Sequence, residues 1–360
     1  MPFIQQISTA TPNAPIAQAS IAKFMTKAMR LNADEARKLK AVFRLSGIES
    51  RHSVIHDYAF DDDKSWEFYP EINSERTVST AERMQLFEEK ALPLSEKAIK
   101  DIFTKNEPDS FTHLITVSCT GMFAPGLDIQ LIKKYKMDAT IERTSIQFMG
   151  CFAAINALKT ANHICNADQK AKVLIVCVEL CTIHFQSDFN EDNLLANTIF
   201  GDGAAAVVVS CDQQKALFDI KGFKSIVHEN SEDEMAWHIG NHGFQMKLTA
   251  YVPQVIESTI HSLTIKLIKQ YNILLDDIHH YAIHPGGKRI LDAVEKGLNL
   301  NKEVNQIALT IFKKFGNMSS PTILFVLEQL IKKAQKDENI LSFAFGPGLT
   351  MESMLLQRHG

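Results

Sequence analysis

Three residues in the sequence have types suited to nucleophilic acyl chemistry: Cys151 in "FMGCFAAINALKTANHI" (148–164), His284 in "HYAIH" (280–284) and Asn317 in "KFGNMSSPTILF" (314–325). Cys151 follows a glycine and precedes a run with almost no polar face, which predicts a buried helix with the thiol at its first turn. Unpaired N–H groups and the positive end of the helix dipole favour a thiolate there, so the thiol pKa is expected to fall. A buried cysteine beside a glycine equally serves packing, and Cys151 alone does not separate the two roles. His284 closes a short strand ahead of Pro-Gly-Gly, a place that commonly presents a catalytic base; His279 and His280 read as solvated neighbours. Asn317, after Gly316, could donate to a developing oxyanion or cap the helix that follows.

The elements that must position these residues follow an α/β pattern. Short β-rich runs occur at 113–118, 173–178, 204–210, 280–284, 341–345 and 351–356, alternating with helical stretches. "YVPQVIESTIHSLTIKLIKQY" sets Val252, Ile256, Ile260, Leu263 and Leu267 on one face, with Pro253 in the first turn. The polar stretch "HENSEDEMAWH" (228–238) reads as an excursion or loop. A weak internal echo divides the chain: "FMGCFAAINALKTA" and "FGNMSSPTILFVLEQL" are both Gly-containing turns into apolar helices, with Asn317 where the first has Cys151. "GDGAAAVVVS" and "GPGLTMESMLLQ" are both Gly-rich turns into strands. Two similar halves, 1–215 and 216–360, are therefore expected, with the boundary near 212–222.

Composition narrows the function classes. The chain has 360 residues, 45% hydrophobic and 22% charged, with a net charge of -4 and no Lys/Arg-rich run, which argues against a nucleic-acid or polybasic membrane surface. The N-terminus lacks a charged segment followed by an apolar one, and no 18 consecutive residues are apolar, so a soluble cytoplasmic protein is expected. The six cysteines lack the spacing of a disulfide framework, which predicts free thiols. Cys177, Cys181 and His184 have a spacing that metal sites use, but no fourth ligand stands at motif distance, and packing is the simpler reading; no metal is expected.

Taken together, "ISTATPNA" (7–14), "CTGMFAPGLDIQL" (119–131), "GCFAAINALKTA" (150–161), "FGDGAAAVVV" (200–209), "HPGGKRILD" (284–292), "GNMSSPTILFVLE" (316–328) and "FGPGLT" (345–350) resemble the type III polyketide synthases, the chalcone synthase-like members of the thiolase superfamily. The resemblance covers essentially the full length. It implies a five-layered αβαβα fold of two similar βαβ-type halves, a homodimer, and acyl-CoA and malonyl-CoA thioesters as substrates with no other cofactor. Cys151 would carry the starter, His284 would hold it as a thiolate in an ion pair, and His284 with Asn317 would stabilise the enolate left by decarboxylation. Phe200 matches an aromatic of the decarboxylation pocket, and Gly346 and Pro347 of "FGPGLT" fall at the substrate site.

The family places basic residues three and then four apart on an early helix to bind CoA phosphates, a spacing that Arg37, Lys40 and Arg44 repeat. Departures also stand out. Met246 falls where plant enzymes carry a gatekeeper phenylalanine, His184 near a small hydroxyl residue of their cavity, and Cys119 in place of a threonine. Competing readings are a ketoacyl-ACP synthase III-like enzyme using the same triad, a non-catalytic thiolase-fold subunit, and a cysteine hydrolase.

Overall fold

A computed structural model describes residues 1–229 and 231–360. In chain order the elements are β1 (Phe3–Ala10), β2 (Ile16–Ala17), α1 (Gln18–Ala28), α2 (Ala33–Leu45), β3 (Ser50–Arg51), α3 (Thr80–Phe103), β4 (His113–Ser118), α4 (Leu127–Tyr135), β5 (Glu142–Gln147), α5 (Ala153–Ala167), β6 (Lys172–Leu180), α6 (Glu191–Ile199) and β7 (Asp202–Ser210). The second part comprises β8 (Phe218–Val227), β9 (Met235–Gly240), β10 (Gly243–Leu248), α7 (Val252–Ile268), β11 (Ile278–Ile283), α8 (Lys288–Gly297), α9 (Gln306–Phe315), α10 (Thr322–Ile331), β12 (Asn339–Gly346) and β13 (Thr350–Arg358). Each of the six β-rich runs falls on a strand.

The halves repeat one topology. In the first, β1, β7, β6 and β4 lie side by side, antiparallel, antiparallel, then parallel, with β5 at the edge. In the second, β8, β13, β12 and β11 follow the same order and senses. The half-sheets are continuous, because β1 and β8 pair through Phe3–Asp219 and Ile4–Phe218. Beyond those two pairs they diverge, and the space between them holds α5 and α10.

Both central helices are apolar because each meets strands of both halves. α5 packs on β4, β6 and β7 and also on β8 and β13; α10 packs on β1, β7 and β11. Alanines at 153, 154, 157 and 161 of α5 are fully buried, which lets the layers approach closely. On the outside, α3 covers the first half-sheet and α7 the second, giving five layers. The predicted face of α7 is the buried one, and Pro253 lies in its first turn.

Two local expectations change. The stretch 228–238 is only partly loop: 235–240 is β9, which pairs with β10 in a separate two-stranded hairpin, because Trp237 and Met246 bring apolar side chains to one face. Residue 230 of that stretch lies outside the described residues. Cys151 is also not in the helix's first turn, since α5 begins at Ala153. Among the described residues no helix is long and apolar enough to cross a membrane.

Candidate active site

The repeat brings the two halves' equivalent helix starts face to face. Cys151 precedes α5 and Asn317 precedes α10, and both heavy atoms of the Asn317 amide lie 3.9 Å from the Cys151 Sγ. Asn317 does not cap its helix, which starts only at Thr322; the Thr322 hydroxyl instead accepts the Met318 N–H at 2.8 Å. Its backbone is held by a parallel bridge to Phe200: Asn317 N–H donates to Ile199 at 2.8 Å and Gly201 N–H donates to Asn317 at 3.0 Å. Gly316 makes this crossing possible. Its φ is +68°, and a Cβ there would press on the Ile199 carbonyl and the Arg51 side chain.

The side-chain amide is oriented as firmly. Asn317 Oδ1 accepts the Ser319 N–H at 2.8 Å, where Ser319 takes a left-handed φ of +57°, so Nδ2 is turned toward the sulfur and the Gly286 carbonyl, 3.4 Å away. His284 directly follows β11, and its N–H donates to Phe343 of β12 at 2.8 Å. The ring is 1% exposed, and neither nitrogen finds a hydrogen-bond partner among the described residues. A buried imidazole with both nitrogens free costs stability unless something visits the site to use them.

Protonation departs from the sequence expectation. Burial pushes the Cys151 thiol up to about 11, with Ser319 and Asn317 pulling it down and the Glu179 charge pushing it further up. Burial pushes His284 down to about 3. Both shifts favour the neutral forms, and the His284 ring has no hydrogen-bond partner among the described residues. The sequence expectation of a lowered thiol pKa is reversed, because enclosure penalises the charged form. A neutral imidazole retains one N–H to donate and one nitrogen to accept a proton.

Phe200 belongs to an apolar cluster with Cys181, Ile199 and Phe312, against which Cys151 and Met246 both pack. Gly346 and Pro347 wall the other side: a Cβ on Gly346 would sit 2.6 Å from the Phe152 ring and 3.4 Å from the Cys151 nitrogen, and one on Gly150 would strike the Pro347 ring. Cys119 lies behind the site, its Sγ 3.1 Å from the Ser319 hydroxyl. His184 is buried, with Nε2 2.6 Å from the Thr120 carbonyl and Nδ1 accepting the Phe244 N–H at 3.0 Å. Both its nitrogens are engaged, so it offers no metal ligand, and no group of three or more His, Cys, Asp or Glu among the described residues is arranged to hold a metal. All six cysteines are free.

A cavity of about 1160 Å³ lies beside this centre, lined by its neighbours and not by Cys151, His284 or Asn317 themselves. Its inner wall includes Leu195, Ile199, Met246, Phe312 and Gly286, residues in contact with the Cys151 cluster or with Asn317. Cations on its lining are Lys247, Lys288 and Arg289, the last two exposed at the start of α8. Arg37, Lys40 and Arg44 do not line it. At 100° per residue they share a face of α2 turned away from Val42 and Leu45, which do line it, and Arg37 instead pairs with Asp34 at 3.3 Å.

Three neighbours escaped the sequence reading. Glu179, fully buried at the end of β6, accepts from Ser320 at 2.6 Å, Thr120 at 2.7 Å and the Cys119 N–H at 2.9 Å, and burial raises its pKa. A lone acid in "KVLIVCVEL" was the available signal. Buried Arg51 donates to Gln18 at 2.8 Å and to the Phe200 carbonyl, bracing the Phe200–Asn317 bridge. Trp237 donates to the Cys119 carbonyl at 2.8 Å.

Comparison with known proteins agrees with this geometry. Residues 2–213 match the model of the chalcone and stilbene synthase N-terminal domain, and residues 223–359 that of the C-terminal domain. The chain is 28% identical over 368 residues, 98% of its own length and 90% of the relative's, to the alpha-pyrone synthesis polyketide synthase-like Pks18 of Mycobacterium tuberculosis. It superposes on the crystal structure of PKS-I from the brown alga Ectocarpus siliculosus with a TM-score of 0.91 at 29% identity, covering 99% of this chain and 98% of that one. For the C-terminal type III polyketide synthase domain of Steely1 from Dictyostelium the TM-score is 0.90 at 26% identity, covering 100% and 99%. With its paired half-sheets and a thiol facing an amide across them, the chain belongs to the chalcone and stilbene synthase family and is a type III polyketide synthase, a CoA-dependent condensing enzyme.

Proposed function

We propose that Cys151 loads an acyl starter from CoA, and that His284 and Asn317 stabilise the enolate formed when malonyl-CoA loses CO₂. The observation that carries this is a buried His284 imidazole with neither nitrogen partnered among the described residues, two positions before the Gly286 carbonyl that lies 3.4 Å from Nδ2 of an oriented Asn317 amide, itself 3.9 Å from the Cys151 thiol. The thiol proton passes to His284 as Sγ attacks the starter carbonyl, and the departing CoA sulfur takes that proton. This general-base route needs no standing ion pair. Malonyl-CoA then enters, and cleavage of its carboxylate C–C bond leaves an enolate whose oxygen accepts from the His284 N–H and the Asn317 Nδ2–H. The enolate carbon attacks the Cys151 thioester, a C–C bond forms, the C–S bond breaks, and the lengthened chain stays on CoA for reloading. Phe200 supplies an apolar wall that favours loss of the carboxylate charge.

The CoA phosphates are assigned to Lys247, Lys288 and Arg289 at the cavity lining, with Arg37, Lys40 and Arg44 on the neighbouring face of α2 as the alternative. A homodimer is proposed through β5, an exposed edge strand paired among the described residues only with β4, beside exposed Met149. Mass analysis of products from malonyl-CoA with a panel of acyl-CoA starters tests the reaction. Malonyl-carrier protein run in parallel separates the ketoacyl-ACP synthase reading, and release of free acid without extension would indicate a hydrolase.

A further inference from the structure

The β9–β10 hairpin pairs with no other strand among the described residues, yet its inner face carries Trp237 and Met246 as cross-strand partners, with Phe244 two positions away. An isolated two-stranded hairpin is marginally stable, so its place depends on what ties it down. Thr80 holds only the turn, accepting the Gly243 N–H at 2.8 Å. Gln186 Nε2 donates to the His242 and Phe244 carbonyls at 3.1 and 3.2 Å, and beside it the middle of the hairpin is held by His184. Its Nδ1 accepts the Phe244 N–H at 3.0 Å, which puts the proton on Nε2, and Nε2–H donates to the Thr120 carbonyl at 2.6 Å. The ring stacks on Phe244 at 4.1 Å and 11° and meets Trp237 edge-on at 5.7 Å. Trp237 donates to the adjoining Cys119 carbonyl at 2.8 Å, so the two rings grip consecutive peptides. Cys119 in turn contacts Ser319, which orients Asn317.

We propose that His184 is a positioning residue: a two-ended clasp that seats the hairpin against the 119–120 turn and thereby sets the shape of the acyl pocket through Trp237 and Met246. It does so without contacting substrate. The space enclosed by Cys181, His184, Phe200, Trp237, Phe244 and Met246 is only about 30 Å³, so a small shift of the hairpin changes a large fraction of it. This proposal rests on the polyketide synthase reading for its kinetic readout only.

The chain has two tryptophans, so Trp66→Phe leaves Trp237 as the sole reporter of the hairpin's seat. In that background His184→Phe keeps ring and stacking but removes donor and acceptor, whereas His184→Gln retains both on one planar amide. His184→Phe is expected to red-shift Trp237 emission, increase its quenching by acrylamide, and change the dodecanoyl-CoA to acetyl-CoA ratio of kcat/KM roughly tenfold, mainly through KM. His184→Gln is expected to restore emission and ratio toward the parent. Parent-like emission and ratio in His184→Phe, or equal impairment in both variants, overturns the clasp. If His184→Phe does not fold, His184→Asn, whose shorter amide reaches only one partner, replaces it, with a partial shift expected and parent values overturning the proposal. If the parent makes no product, the function reading fails while Trp237 emission still decides the clasp.

Discussion

Cys151 and Asn317, 166 positions apart, occupy equivalent places in the two halves and meet with sulfur and amide 3.9 Å apart. Under the proposed roles the first half presents the nucleophile, and the second supplies both the base that activates it and the donors that hold the enolate.

Cys151→Ala is therefore expected to abolish starter loading while some malonyl-CoA decarboxylation persists. Asn317→Ala should keep loading and lose decarboxylation by about 10²–10³-fold, the usual cost of removing one oxyanion donor. Radiolabelled loading and CO₂ release measure the two separately. Equal loss of both in folded variants would contradict the division of roles.

The raised Cys151 pKa of about 11 predicts slow alkylation near neutrality, with the iodoacetamide rate climbing about tenfold per pH unit from pH 7 toward 10. Cys151 and Cys211 are the two half-buried thiols, and the other four should be protected in the folded chain. Peptide mapping over this pH range tests both statements; a pH-independent rate at Cys151 would restore the resting thiolate.

Acid should destabilise the fold through its buried neutral histidines. His184 and His284 are held near 3, below the ordinary 6.5, so the unfolded chain binds their protons first. The stability from keeping each ring neutral is fully present above pH 6.5 and is lost as pH falls toward 3, at about 1.4 kcal/mol per pH unit for each ring. Urea unfolding at pH 7, 6 and 5 checks the slope, and His284→Asn should reduce it by one ring's share.

Met246 lines the large cavity and packs on the same apolar cluster as Cys151, which favours a part in starter selection over core packing alone. Met246→Phe puts a flat, rigid ring at this place and is expected to lower kcat/KM for dodecanoyl-CoA about tenfold relative to benzoyl-CoA. An unchanged ratio would remove Met246 from starter selection.

Charge reversal at Lys288 and Arg289 is expected to raise the KM for malonyl-CoA roughly tenfold at low salt, with the effect shrinking as ionic strength rises. Reversal at Arg37, Lys40 and Arg44 should do less, because that face turns away from the cavity. The opposite ordering would return the phosphates to α2.

The sequence by itself determined the fold class and the strands and singled out Cys151, His284 and Asn317 as candidates, because hydrophobic period and turn residues are local properties and the motif order is carried along the chain. The internal echo also pointed correctly at Cys151 and Asn317 as counterparts. Tertiary structure alone decided their state. The helix-dipole expectation for Cys151 lost to burial, since Cys151 lies outside α5 and the desolvation comes from elements far away in sequence. The hydrogen bonds of His184, read from the sequence as a pocket residue, could not be foreseen because its partners, Thr120 and Phe244, are each about 60 positions distant. Arg51 and Trp237 were silent for the same reason, and the lone acid Glu179 signalled only its burial: a polar group's role is set by what the fold stacks against it, and one-dimensional spacing carries no record of contacts between layers.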